Sequence, residues 1–185
     1  RLHPNVWVRG GVRVATLGYA VPGLVLAVAL MVPLTNLDKW LATLLRDTFD
    51  VHWGLLITGS SAALILVYVA RFLTVAFNST QAGLTQIHPQ LDAAARSLGH
   101  EPGVVLRRVH LPLLRPAVIT GLLLVFIDVM KELPATLILR PFNFETLATW
   151  VYRFASDERL AQASTAALVI VLMSLIPTMV LSRLR

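Results

Sequence analysis

The stretch Val14–Leu34, VATLGYAVPGLVLAVALMVPL, runs 21 residues without a charge. About 20 apolar residues in a helix cover the roughly 30 Å of a bilayer's hydrocarbon, so this stretch reads as a membrane span. Three more spans follow. Gly54–Ala70 has 17 uncharged residues and extends to Phe77 if Arg71 snorkels toward a headgroup. Pro116–Leu139 is uncharged as far as Ile127, then carries Asp128, Lys131 and Glu132. Ala163–Leu181 is uncharged over 19 residues, with Pro177 near its end. In lipid, backbone donors must be satisfied within the segment or by packed neighbours, which favours helices. The expected fold is an all-α integral membrane bundle, one domain over 1–185, with spans at about 14–34, 54–77, 116–139 and 163–181.

Composition agrees. The 185 residues are 56% hydrophobic and only 14% charged, with a mean hydropathy of +0.72. A soluble domain carries about 25% charged residues. An ordinary cytosolic enzyme and a disordered chain are thereby excluded. In so apolar a chain, the net charge of +6 points to membrane flanks rather than a nucleic-acid partner. The absence of cysteine rules out disulfides, thiolate metal sites and Cys nucleophiles. His3, His52, His88, His100 and His110 show no paired metal spacing, so no metal site is expected. Nor does the chain hold a nucleophile elbow or a G-x-x-x-x-G-K-[ST] loop to cradle phosphates. No catalytic residue is assigned, and ATP chemistry, if the protein uses it, belongs to another subunit.

Charge asymmetry orients the spans. Arg1, Arg9, Arg13, Arg71, Arg96, Arg107, Arg108, Arg115, Arg183 and Arg185 fall on one side, against only Asp92 and Glu101. On the other side Lys39, Arg46, Arg140, Arg153 and Arg159 are balanced by six acids. The N-terminus, the long 78–115 loop and the C-terminus are therefore expected in the cytoplasm. In the outer segment 35–53, Thr35 and Asp38 suggest a capping box. Leu37, Trp40, Leu41, Leu44 and Leu45 share a helical face, which predicts a separate interfacial helix.

The 78–115 loop contains IHPQLDAAARSLGHEPGVVLRRVHLPLLRPA, residues 87–117. Pro89 suits a first helical position, Asp92 complements the N-terminal dipole, and Gly99 supplies a residue able to adopt φ > 0. Glu101-Pro102 opens a second short helix, which Pro112 is expected to end. The product is a helix–turn–helix elbow whose small surface, Ala93, Ala94, Ala95 and Leu98, suits a partner's groove. The segment resembles the EAA loop of type I ABC importer permeases. Ala93-Ala94-Ala95 sits at the Glu-Ala-Ala positions, Gly99 follows after three residues, Val109 after nine more, and Leu111-Pro112 closes the motif. The motif's Glu is Ala93 here, with Asp92 just before it. The resemblance implies a coupling helix docked into an ABC ATPase subunit dimer, with ATP and Mg on that partner and no cofactor in this chain.

The third span poses a separate problem. A charge at the bilayer centre costs about 2.5–3.5 kcal/mol on insertion scales, so Asp128, Lys131 and Glu132 need partners or water. Spacings of i,i+3 and i,i+4 place all three on one face. Pro134 then removes a helix hydrogen bond, as in the broken helices near transport sites. Two readings stand: a pathway-facing cluster or gate, and a structural ion pair between Lys131 and a carboxylate. The stretch also resembles the ferric-iron permease branch, whose members carry D-x-x-K-E-L-P-A-T-L-x-L-R-P-F, then T-L-A and S-D-E-R-L. Asp128, Lys131 through Thr136, Arg140-Pro141-Phe142, Thr146-Leu147-Ala148 and Ser156 through Leu160 match as they stand, and Leu17–Gly23 fits the same branch. The resemblance implies a permease half in a bacterial inner membrane that works with a periplasmic substrate-binding protein and a second permease half or subunit. Ferric iron is the implied cargo, with polyamine, thiamine or phosphonate as alternatives, and Asp128, Lys131, Glu132, Pro134 and Arg140 are the implied pathway or gate. A membrane-embedded enzyme using Asp128, Lys131 and Glu132 would need charged partners on other spans, whose cores read as uncharged. A passive channel would leave the elbow without a purpose.

Overall fold

A computed structural model describes residues 5–50 and 54–183. Arg1, His3, His52 and Arg185 lie outside them. The described residues form nine α-helices and no strand: α1 Val6–Leu17, α2 Gly23–Phe49, α3 Ser61–Gln86, α4 Pro89–Ser97, α5 Pro102–Val105, α6 Leu111–Met130, α7 Pro134–Leu139, α8 Leu147–Ser156 and α9 Leu160–Arg183. A π-helical turn, Leu106–His110, joins α5 to α6. Among the described residues four helices are long and apolar enough to cross a membrane: α2, α3, the continuous rod Pro102–Met130, and α9.

The expected spans differ in three places. The stretch read as one span over 14–34 is broken between Leu17 and Gly23. Pro22 has no N–H to continue a helix, and α2 starts directly after it. The separate interfacial helix over 35–53 is instead the continuation of α2 to Phe49. Thr35 makes no cap; its hydroxyl donates to the Met31 carbonyl within the helix. Asp38 is fully buried and its carboxylate accepts from the N–H groups of Leu56, Ile57 and Thr58 at 2.6, 3.0 and 2.7 Å. It thereby satisfies the turn that leads into α3. The third correction is Pro112, which does not end a helix. The Leu111 N–H bonds the Leu106 carbonyl, five residues back, and the rod continues into α6. The extra residue of the π turn absorbs the donor that Pro112 lacks.

Helices α3 and α6 run antiparallel in close contact: the Ser79 hydroxyl donates to the Ala117 carbonyl at 2.7 Å, and Gly121 lies against Ala76 and Ser79. Ala27, Leu64, Val67, Ala135 and Leu139 form the buried core where α2, α3 and α7 meet, with Leu26, Leu30 and Tyr68 packed on its edge. The elbow lies at one end of the α3–α6 pair and α7 toward the other.

Candidate functional site: an elbow and a buried polar seam

The elbow is built as its residues dictate. His88 precedes α4 and its ring Nδ1 accepts from the Gln90 N–H, while Pro89 fills the first turn, where no N–H is needed. Gly99 has φ of 77°, a left-handed conformation that costs a side-chain-bearing residue roughly 1–2 kcal/mol. It turns the chain toward α5. Ala93, Ala94, Leu91 and Leu98 are exposed along α4, whereas Asp92 and Ala95 are buried. Val109 is half-buried, and Leu111 and Pro112 are exposed. Asp92 faces the π turn ahead of α6, where its carboxylate accepts from His110 Nε2 at 2.6 Å. It therefore cannot replace an outward Glu at position 93, because successive helical residues point about 100° apart. His110, discounted when only metal spacing was considered, is part of the elbow.

The second constellation lies within the bundle. Arg71 stands ten residues after Ser61 and fifteen before Gln86, about 15 and 22 Å from the two ends of α3. It does not snorkel. Its Nη1 donates to Glu132 Oε1 at 3.2 Å, with side chains 19% and 6% exposed. Gly23 makes room for the pair: a Cβ there would overlap Arg71 Nη1 and press on Glu132 Oε1. One turn earlier on α3, Tyr68 meets Thr136. The Thr136 hydroxyl donates to the Glu132 carbonyl at 2.6 Å, so its oxygen accepts from Tyr68 at 2.5 Å.

Glu132 was expected on one face with Asp128 and Lys131, and the structure separates them. Helix α6 ends at Met130 because the Pro134 ring would clash with the carbonyl four residues back. Glu132 then turns to Arg71 and to the N–H of Ala135 at 3.2 Å. Lys131 pairs with Asp128 at 2.9 Å, and 63% of its side chain is exposed. Pro134 opens α7. The expectation that the other spans lack core charges fails at Arg71 and at Asp38.

Arg140 is not brought to this cluster. It follows α7, donates to the Phe144 carbonyl at 3.0 Å and pairs with Glu145 at 2.6 Å. Arg153 and the Thr149 hydroxyl also reach Glu145, at 3.1 and 2.7 Å. Burial raises the Glu145 pKa, but the hydrogen bonds from Thr149 and Arg140 and the charges of Arg140 and Arg153 outweigh it and hold the carboxyl below its usual range. This network fixes the 140–146 loop ahead of α8.

Comparison with known proteins places the architecture. The family described as "Binding-protein-dependent transport system inner membrane component" matches residues 2–185. "Fe(3+)-transport system permease protein FbpB 2" of Haemophilus influenzae is 31% identical over 183 residues, 99% of this chain and 32% of that protein. "Putative 2-aminoethylphosphonate transport system permease protein PhnV" of Salmonella typhimurium is 28% identical over 161 residues, 80% of this chain and 61% of its own. "Ferric transport system permease protein FbpB" of Actinobacillus pleuropneumoniae is 29% identical over 119 residues, 64% of this chain and 17% of its own. The chain thus spans about a third of the length of the first of these relatives and under two thirds of the others. A family match over nearly every residue, on a bundle with four helices able to cross a membrane, leaves one conclusion: the chain belongs to the inner membrane component family of binding-protein-dependent transport systems.

Proposed function

We propose that this chain is the membrane-spanning part of an ABC importer permease that moves ferric iron handed over by a periplasmic binding protein. The observation that carries the reading is the elbow. Helix α4 presents Leu91, Ala94 and Leu98 outward, and the Gly99 turn connects it to the rod that becomes α6. A short helix with a small apolar face, fixed to a spanning helix, is what a separate ATPase needs in order to push on a membrane domain. ATP and Mg belong to that partner, and the chain itself carries out no catalysis. The elbow lies in the cytoplasm, as the distribution of basic residues requires.

The seam formed by Tyr68, Arg71, Glu132 and Thr136, flanked by Asp128 and Lys131, is the candidate gate of the pathway. Two features support this. Backbone leaves helical geometry beside it at both 18–22 and 131–133, and non-helical backbone at membrane depth persists only inside protein or along a water-filled cavity. Iron rests on the FbpB relatives; the PhnV relative favours a phosphonate as the second reading. Uptake of labelled ferric iron and of 2-aminoethylphosphonate by cells with and without the gene decides between them. Co-purification of an ATPase tests the class, and a single cysteine at Gln90 that reacts only from the periplasm would overturn the orientation.

A further inference from the structure

We propose that Asp92 and His110 are positioning residues that clamp the docking helix α4 to the root of α6, so that movement of one carries the other. The inference rests on the reading of α4 as the ATPase-docking helix. The two residues are 18 apart in sequence, on different elements, and their side chains are 8% and 3% exposed. Other polar contacts of α4 are local: Arg96 Nε donates to the Asp92 carbonyl, Ser97 to the Ala94 carbonyl, and the Gln90 N–H to His88. Ala95 and Val105, both buried, add only small apolar surfaces. An apolar contact of that size can slide, whereas a short hydrogen bond to a carboxylate fixes direction as well as distance.

The π turn explains how the clamp is aimed. One added residue in a helix rotates everything beyond it by about 100°, and π turns of this kind recur at functional sites. Here the turn ends on His110 itself and is followed by Pro112. Beyond it, α6 runs unbroken to Met130, two residues from Glu132 of the seam. Rotation of α4 is thus conveyed to a stiff rod whose far end carries the buried pair with Arg71. Ala93 is outward where a motif Glu would stand, and the carboxylate beside it, Asp92, is turned inward.

The test uses the full-length permease reconstituted in vesicles with its ATPase subunit and binding protein. Asp92→Asn, His110→Gln and the exchange Asp92→His with His110→Asp are compared for uptake per ATP hydrolysed, normalised to the ATPase retained. Each single variant should lose about 2- to 30-fold in uptake per ATP, the range over which residues in a coupling network act. The exchange should recover most of it. Single variants that couple like wild type, or an exchange that folds and remains uncoupled, overturn the clamp. So does failure of all three to accumulate, which would confine the pair to folding. A wild-type complex with neither bound ATPase nor uptake would instead overturn the permease reading itself.

Discussion

Removing Arg71 should expose what the buried pair contributes. With Nη1 and Oε1 3.2 Å apart, the attraction is about 5 kcal/mol at an effective dielectric of 20. Desolvation of the two ions costs a similar amount, so the intact pair adds little net stability. One partner alone is different. Arg71→Met leaves Glu132 buried, held only by the Ala135 N–H, and should cost about 3–5 kcal/mol. That is a large share of a total stability of roughly 5–15 kcal/mol. Glu132→Gln should cost less than Arg71→Met, because an amide still accepts from the guanidinium and 19% of the Arg71 side chain already reaches the surface. The double variant Arg71→Met with Glu132→Gln removes both charges and should recover most of the loss. Thermal unfolding in detergent, followed by tryptophan fluorescence, reads the first part. Uptake at matched membrane content reads the second: the double variant should accumulate, bind its ATPase and transport poorly. Near-normal transport by it would refute the gate and leave the pair as packing. A double variant no more stable than Arg71→Met would refute the charge-pair energetics.

Lys131→Met with Glu132→Gln should be less stable than Arg71→Met with Glu132→Gln, since it leaves Asp128 without its cation and Arg71 without a counter-charge; the same melting assay compares them. Gly99→Val should strain the elbow by roughly 1–2 kcal/mol, leaving normal amounts of protein in the membrane but weakened ATPase co-purification and uptake. The Glu145 network should be pH-sensitive in one direction. Its folded pKa lies below the ordinary 4.5, so its contribution is complete above that value and is lost as pH falls through the folded pKa. Hydrogen-exchange protection of the 140–149 segment should drop in acid, and Glu145→Gln should abolish that dependence.

The fold was legible because lipid imposes strict demands. Long uncharged runs marked α2, α3 and α9, the shorter uncharged run from Pro116 to Ile127 marked α6, and the turn at Gly99 followed from the residues around it. Breaks were harder to read. Leu17–Gly23 is apolar throughout, and hydropathy alone does not separate a continuous helix from one that stops at Leu17 and restarts after Pro22, beside Arg71. The seam was half legible: Asp128 and Lys131 pair at their i,i+3 spacing, but Glu132 leaves that face once Pro134 ends the helix. Its partner lies 61 residues earlier on α3, and no local spacing links them. Arg71 sits at the edge of an uncharged run, where snorkelling is the ordinary fate of an arginine. Only the gap left by Gly23 beside it signals a cation held inside. His110 was missed for a similar reason: a histidine scanned for metal spacing gives no hint of a carboxylate 18 residues away.

The remaining question about the seam is which side faces water. At the level of Arg71 and Glu132, Lys131 exposes 63% of its side chain and Tyr19, in the break between α1 and α2, exposes 49%. Held against lipid, that ammonium would cost about 2.5–3.5 kcal/mol, and one salt bridge to Asp128 on the same helix does not remove the charge from its surroundings. Against water the cost disappears. On α2, by contrast, Val25, Val28 and Val32 expose 55%, 55% and 65% of their surfaces with no charge among them, which suits acyl chains. On the proposed reading, the solute route therefore runs on the Lys131 side and lipid lies on the valine side. The chain contributes no cysteine of its own, so single replacements are read in a transporter whose other subunits and segments have been freed of cysteine. Lys131→Cys in the assembled transporter should react with a charged, membrane-impermeant thiol reagent, and Val28→Cys only with a permeant one. The reverse pattern would turn the route to the other face of the bundle and make the Asp128–Lys131 pair a packing contact with the second permease half.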